Sequence, residues 1–215
     1  MIITDFLERN ARQYPNDVCL VEINPEIQED RRVTWKEYEL IEPSPKTSYR
    51  REITWSVFNE KANRFANLLL QRGIKKGDKV AILMMNGLEW LPIYFGILKT
   101  GALAVPLNFR YSSDEIEYCV NLAEADVLVF GNSFIGRVEE IADRISKGRL
   151  LIYVGEGCPS FADDYNSLSA NCSSMPPRIV LSDDDDAAIY FSSGTTGFPK
   201  AILHKHRSLV HSCMV

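Results

Sequence analysis

The sequence predicts an α/β fold in which a mostly parallel sheet carries helices on both faces. From Thr54 onward, short apolar segments alternate with longer segments whose apolar residues recur at helical spacing. The short segments are apolar almost throughout, which is typical of strands in a parallel sheet that is covered on both sides. Each strand–helix–strand connection should therefore be a right-handed crossover.

The first part of the chain predicts a helix and a strand outside this alternation. Residues 1–16 have the pattern of a short amphipathic helix, and Val18–Ile23 has that of a strand. A stretch rich in proline and serine follows, so we interpret residues 27–51 as an inserted hairpin or loop. We accordingly divide the chain into residues 1–51, with the helix, the strand and the insertion, and residues 52–215, an α/β subdomain.

Capping signals place the helices of the α/β subdomain. Thr54 can cap the first helix, and Gly73 suits its left-handed end. Asn86 with Glu89 is a capping pair for a second helix that runs to Leu98. Two further helices are predicted over Ser112–Leu122, which opens on a Ser112 and Glu115 pair, and over Ile135–Ile145.

Strands are predicted between these helices and after them. Residues 155–182 lack both periodicities and contain a serine-rich run, so they predict a surface connection. A helix is expected to open after His206. The predicted strands are Lys79–Met84, Leu103–Pro106, Asp126–Phe130, Leu150–Val154, Ala187–Phe191 and Ala201–Leu203.

The segment Ser192–Lys200 carries the densest chemistry of the chain. It packs four hydroxyl side chains, two glycines and one lysine into nine residues directly after a predicted strand. Glycine lets backbone N–H groups turn inward, the hydroxyls add short donors and the lysine adds a point charge. A concave set of donors with one cation is what a chain of phosphates requires.

This segment is not a Walker loop, and an ordinary surface turn is the alternative to phosphate binding. A Walker loop has its lysine directly after the last glycine and opens a helix there. Here two residues separate Gly197 from Lys200, and the residues that follow predict a strand. Many positions of the segment together have the residue types that phosphate binding requires, which favours phosphate binding over an ordinary surface turn.

Ser193–Lys200 is similar to the phosphate-loop signature of the AMP-forming adenylate-forming superfamily, which includes acyl-CoA synthetases, peptide-synthetase adenylation domains and firefly-type luciferases. The resemblance extends over residues 50–215 and is weaker over residues 1–25. Pro106-Leu-Asn108 is more similar to fatty acyl-CoA synthetases than to peptide synthetases. The family usually has glycine after the loop lysine, where this chain has Ala201.

The resemblance implies two half-reactions. A carboxylate attacks the α-phosphorus of ATP to give acyl-AMP and pyrophosphate, and the acyl group then passes to coenzyme A. The implied cofactors and substrates are ATP, Mg²⁺, coenzyme A as co-substrate, and a carboxylic acid. The resemblance implies a catalytic role for Lys200, a metal contact for Thr196, and phosphate binding by Ser192, Ser193, Gly194, Thr195, Thr196, Gly197 and Lys200.

The resemblance also implies that this chain is only part of a full-length enzyme. Superfamily chains run to more than twice this length and hold their adenine, ribose and hinge residues downstream of the phosphate loop. We therefore expect an N-terminal part of an acyl-CoA synthetase, truncated at its C-terminus and inactive alone. The alternatives are a non-catalytic phosphate-binding module and an adenylation domain for an amino or aryl acid.

Composition limits the partners and the compartment. The chain of 215 residues has 24 Lys and Arg against 29 Asp and Glu, a formal net charge of −5, which argues against a nucleic-acid partner. Five cysteines without a C-x-x-C spacing indicate free thiols in a reducing compartment. No segment has the apolar run of a signal peptide or a membrane span. We expect a cytoplasmic protein without a transmembrane segment. Its oligomeric state is left open by the sequence, and a homo-oligomer is one of the alternatives.

Other clusters favour packing over chemistry. His204 and His206 share a face of a predicted strand, but no carboxylate or cysteine completes a metal site at a suitable spacing. Asp183–Asp186 lacks the alternating ligands of a calcium loop and is interpreted as a solvated strand entrance. Trp90 and Tyr94 lie among apolar neighbours on one predicted helix, which favours core packing over a ligand platform.

Overall fold

The computed structural model describes residues 1–23, 50–145, 148–192 and 199–214. The helices within these ranges are α1 Thr4–Gln13, α2 Trp55–Gln71, α3 Trp90–Lys99, α4 Ser113–Leu122, α5 Ile135–Ile145, α6 Tyr165–Ala170 and α7 His206–Met214. The strands are β1 Val18–Ile23, β2 Arg50–Thr54, β3 Lys79–Leu83, β4 Leu103–Pro106, β5 Val127–Gly131, β6 Leu150–Val154, β7 Asp163–Asp164, β8 Asp186–Ser192 and β9 Lys200–Lys205.

The predicted α/β class and the mostly parallel sheet are confirmed. Seven strands form one sheet in the order β7-β6-β5-β3-β4-β8-β9. All neighbours in it are parallel except β8 and β9, which form an antiparallel hairpin at one edge. Separately, β1 and β2 pair as a two-stranded antiparallel sheet.

Helices cover both faces of the seven-stranded sheet. Alternate residues of each strand point to opposite faces, so Val80 and Ile82 of β3 pack with α2 and α3, whereas Ala81 and Leu83 pack with α4 and α5. All four of these β3 residues are buried, which explains why the strand is apolar after Lys79.

The capping prediction is confirmed at two helices. Thr54 Oγ1 accepts a hydrogen bond from the backbone N–H of Val57 at the start of α2. Ser112 and Glu115 form a complete capping box at α4, because Ser112 Oγ accepts from Glu115 N and the Glu115 carboxylate accepts from Ser112 N. Gly73, which follows α2, has the expected positive φ of 85°.

The prediction that Asn86 caps α3 is wrong. The helix begins at Trp90, after a turn in which Trp90 N donates to Gly87 O. A helix capped by Asn86 would place Pro92 in its interior, where the proline ring collides with the preceding turn. Beginning at Trp90 puts Pro92 in the first turn, where no N–H is required. The Glu89 carboxylate is engaged elsewhere, at 2.6 Å from Lys61 Nζ.

The prediction of a plain surface connection over residues 155–182 is also wrong in part. This segment supplies β7, which pairs with β6, and α6, which Asp164 caps by accepting from Ser167 N at 2.7 Å. Tyr165 of α6 is buried against Phe65 of α2. Two strand residues and six helical residues are too few to show a periodicity, so the sequence pattern could not reveal them.

The predicted insertion, residues 27–51, lies outside the described residues except for its last two. Arg50 and Arg51 belong to β2, whose register with β1 includes the pair Ile23–Arg50. The division of the chain after residue 51 stays a prediction, and the strand β2 runs across it.

Candidate functional site

The strand before the predicted phosphate segment ends at the carboxyl edge of the sheet. β8 runs parallel to β4, so its last residue, Ser192, lies at the edge where the carboxyl ends of β3 to β6 also lie. Ligands of open α/β sheets bind outside this edge. Of the predicted site residues, Ser192 and Lys200 are described, whereas Ser193, Gly194, Thr195, Thr196 and Gly197 lie outside the described residues.

The hairpin register brings Ser192 and Lys200 together. The two residues are direct partners across the antiparallel pair β8–β9. Directly opposed residues of such a pair point to the same face, with Cβ atoms about 5 Å apart. Ser192 and Lys200, to which the sequence analysis assigns phosphate binding, therefore extend their side chains from adjacent positions on one face of the hairpin.

The charge of Lys200 is available at this face. Lys200 is exposed, and no described carboxylate lies within ion-pair distance of its ammonium group. Lys205, at the far end of the same strand, differs because its Nζ donates to Asp184 O at 2.7 Å. An exposed lysine without a partner of opposite charge in the described part of the chain can meet an anion without first breaking an ion pair.

A pair of tyrosine hydroxyls lies on the same face, two residues before Ser192. The hydroxyl oxygens of Tyr190 in β8 and Tyr94 in α3 are 2.7 Å apart. The Trp90 ring stacks on Tyr94 with centroids 5.4 Å apart, and the His204 ring lies 4.9 Å from that of Tyr190. Sequence reasoning placed Tyr94 in the core correctly but missed this hydroxyl pair, since no pattern links residues so far apart in the chain.

Comparison with known proteins decides the family. The model of the family described as AMP-binding enzyme matches residues 43–215. The chain belongs to this family of AMP-binding enzymes. The match contains both strands of the β8–β9 hairpin and the segment between them.

Two proteins to which the chain is similar are CoA ligases by name. The chain is 34% identical over 169 residues to the long-chain-fatty-acid–CoA ligase FadD13 of Mycobacterium tuberculosis, covering 78% of this chain and 32% of that protein. It is 35% identical over 165 residues to the crotonobetaine/carnitine–CoA ligase of Salmonella heidelberg, covering 74% and 32%. The chain thus spans 32% of the length of either relative.

A solved structure resembles the whole chain. The anthranilate CoA ligase AuaEII, crystallised in complex with anthranoyl-AMP, superimposes with a TM-score of 0.83 at 26% identity. The superposition covers 100% of this chain and 36% of that one. Among the described residues of the chain, no helix combines the length and the apolar character that a bilayer crossing requires.

The histidine cluster does not form a metal site in the described part of the chain. β9 ends at Lys205, so His206 opens α7 instead of sharing a strand face with His204, contrary to the prediction. His206 is fully buried, and neither ring nitrogen has a hydrogen-bond partner there. No group of three potential metal-ligating side chains occurs within the described ranges. The favoured packing role of His206 is consistent with this burial.

Burial lowers the pKa of His206, although Asp185 and Asp5 oppose the shift. The folded chain therefore binds this proton less readily than the unfolded chain, whose histidine titrates near 6.5. The stability contributed by neutral His206 is present above that pH and is lost as the pH falls through the lower folded pKa. Urea unfolding of wild-type chain should consequently show a steeper loss of unfolding free energy below pH 6.5 than His206→Gln.

The control for this pH effect is His211→Gln, on the same helix. His211 is exposed, so its replacement should leave the pH slope of the wild-type chain in place. Equal slopes in the wild-type chain and in His206→Gln would show that His206 is not the group responsible.

The acidic run Asp183–Asp186 is partly a set of ion pairs. Asp185 contacts Lys76 Nζ at 2.5 Å, and Asp184 contacts Arg207 of α7 at 2.6 Å. The Lys76 ammonium group and the N–H of Ser182 hold the pKa of Asp185 below its usual value. The contact with Arg207 ties the entrance of β8 to the start of α7, and the contact with Lys76 ties it to the loop before β3. The run is therefore more than the predicted solvated strand entrance.

A polar cleft opens at the same carboxyl edge, beyond β3, β5 and β6. Its volume is about 410 Å³, and the loops after these strands line it with Asn86, Asn132 and Glu156. Glu22 of β1 also lines it, accepting from Leu88 N at 3.0 Å. Sequence reasoning missed this cleft, because its lining residues belong to six separate segments.

Proposed function

We propose that this chain supplies the phosphate-holding part of an AMP-forming acid–thiol ligase, with a fatty acid as the first choice of substrate. The placement of Ser192 opposite Lys200, at the carboxyl end of β8, is the observation that carries the proposal. It puts a hydroxyl and an uncompensated cation at the edge of the sheet where α/β proteins bind ligands. The names of the two curated relatives support a CoA ligase.

The proposed chemistry is a displacement at phosphorus. An oxygen of the acid carboxylate attacks the α-phosphorus of ATP, the bond to the β-phosphate oxygen breaks, and pyrophosphate leaves with that electron pair. Negative charge grows on the leaving pyrophosphate, and a positioned cation stabilises such charge more in the transition state than in the ground state. Lys200 is the residue to which we assign this task.

The remaining assignments complete the proposed site. Ser192 would donate its hydroxyl proton to a phosphate oxygen, and Thr196 would contact Mg²⁺, whose role is to neutralise phosphate charge. The other phosphate-binding residues proposed are Ser193, Gly194, Thr195 and Gly197. We further propose coenzyme A as the thiol acceptor and a cytoplasmic location, which the free state of all five cysteines supports.

Acid-dependent exchange of labelled pyrophosphate into ATP tests the proposal, measured on the protein that carries this chain. We expect exchange with medium- or long-chain fatty acids, because adenylate formation is reversible. Absence of exchange with every acid, in a protein that still binds ATP, would contradict it. An aryl acid is the second candidate, favoured by the likeness to the anthranilate CoA ligase over the whole chain, and benzoate and anthranilate therefore belong in the same panel.

A further inference from the structure

The strand that leads to the proposed phosphate site has a short backbone register with its parallel neighbour β4. The described register between β8 and β4 consists of one pair, Ala104–Ala188. β4 ends at Pro106, which has no N–H to offer a neighbouring strand. The later residues of β8 pair with β9, an edge strand whose first four residues are exposed. The backbone alone therefore leaves the end of the hairpin weakly attached.

Side chains attach this end of the hairpin to the body of the fold on both faces of the sheet. Ile189 and Phe191 pack against the core on the face of α4 and α5, and on the other face Tyr190 bonds to α3. The hydroxyl groups of Tyr190 and Tyr94 form a hydrogen bond of 2.7 Å, and Tyr94 is only 7% exposed. Burial raises the pKa of both tyrosines, so both hydroxyls are protonated and one donates to the other. A neutral hydrogen bond out of water depends on distance and direction and therefore specifies where β8 lies relative to α3.

Each tyrosine ring of the pair also packs against a second aromatic ring. Trp90, one helical turn before Tyr94, stacks on it with an angle of 13° between the ring planes. His204 of β9 packs on Tyr190 from the neighbouring strand. The contact therefore joins a rigid helix to both strands of the hairpin.

Tyr190 is well placed to act on the proposed site. Residues two apart on a strand point to the same face and lie about 7 Å apart. Tyr190 is thus the last residue before Ser192 on the face that Ser192 and Lys200 share. We propose that the Tyr94–Tyr190 hydroxyl pair is a positioning device that sets the place of Ser192 and Lys200 relative to the edge of the sheet, an inference that rests on the proposed function.

The test uses this chain with Tyr94→Phe, Tyr190→Phe and the double variant. Phenylalanine keeps each ring and removes only the hydroxyl, so urea unfolding should show folded proteins. The matched control is Tyr153→Phe, which loses a buried hydroxyl that donates to Glu156 O, also at 2.7 Å, on β6. Three strands separate β6 from β8, so the control removes a comparable bond far from the hairpin.

The first measurement is amide hydrogen exchange of the unliganded chain, which does not depend on any nucleotide. We expect exchange in the peptide over residues 186–205 to rise about fivefold in either single variant, the loss associated with one net hydrogen bond. The double variant should exchange no faster than either single variant, because both remove the same bond. Exchange at the wild-type rate, or an equal rise in the Tyr153→Phe control, would overturn the attachment.

The second measurement is calorimetric titration with magnesium pyrophosphate. We expect the two single variants to bind about threefold or more weakly than the wild-type chain, and the Tyr153→Phe control to bind as the wild type. Faster exchange with unchanged pyrophosphate affinity would overturn the positioning role. A wild-type chain that does not bind pyrophosphate would contradict both the proposed function and the positioning role of the tyrosine pair. In that case the hydrogen-exchange measurement would still decide whether the pair attaches the hairpin to α3.

Discussion

Replacing Gly96 with alanine should lower the unfolding free energy by about 1–3 kcal/mol, the cost of overpacking a well-packed contact. Gly96 lies where α3 crosses α2, and a Cβ atom there would be 2.8 Å from the backbone oxygen of Ala62 and 3.0 Å from Phe65 Cβ. Neither atom can turn aside as the end of a flexible side chain could, so the helices must separate. Chemical denaturation of the chain measures the loss.

Gly136→Ala is the matched control for this steric effect. Gly136 also lies within a helix, α5, but nothing stands within 4 Å of the position its Cβ would take. Alanine favours a helix over glycine by about 1 kcal/mol, so this variant should be as stable as the wild-type chain or more stable. A Gly96→Ala variant that also gained stability would show that α2 and α3 separate at little cost.

The position of Gly96 illustrates which parts of the fold a sequence pattern can predict. The helical spacing of Phe58, Ala62 and Phe65 predicts that one face of α2 is buried, and the structure confirms it. The pattern does not say which element covers that face. The close approach of Gly96 to Ala62 joins residues of two helices and follows from the packed fold.

The same limit applies to short elements. The buried strands of the central sheet have a continuous apolar signal, as in Leu150–Val154, and were predicted within a residue or two. β7 and α6 have no such signal, because Tyr165 is the single buried residue of α6. Their places depend on pairing with β6 and on contact with Phe65, which only the folded chain contains.

In the candidate site, too, some features can be predicted from the local sequence and others depend on the packed fold. The composition of Ser192–Lys200 indicated phosphate chemistry, and the strands before and after it predicted that the segment connects β8 and β9. Ser192 and Lys200 lie directly opposite each other because of the hairpin register. A shift of that register by one residue would separate them. The contact of Tyr190 with Tyr94 depends on how α3 packs on the sheet. Local sequence therefore predicted the chemistry, and long-range packing supplied its placement.

Lys200→Ala should slow acid-dependent pyrophosphate exchange by about 10²-fold in the protein that carries this chain, the cost of losing one positioned donor to developing charge. The variant should fold normally, because Lys200 is exposed and makes no ion pair with the described residues. Lys200→Arg keeps the charge on a wider, planar group, so we expect it to restore only part of the rate.

Lys205→Ala is the control, since it removes the same side chain from the other end of β9. Lys205 lies five residues away on the opposite face of the strand and bonds to Asp184 O, so its loss should leave the exchange rate within about twofold of the wild type. Equal exchange rates for Lys200→Ala and the wild type would remove the assigned role of Lys200. A comparable loss in both variants would instead indicate that the rate depends on the overall charge of the strand and not on a local contact of Lys200 with the leaving pyrophosphate.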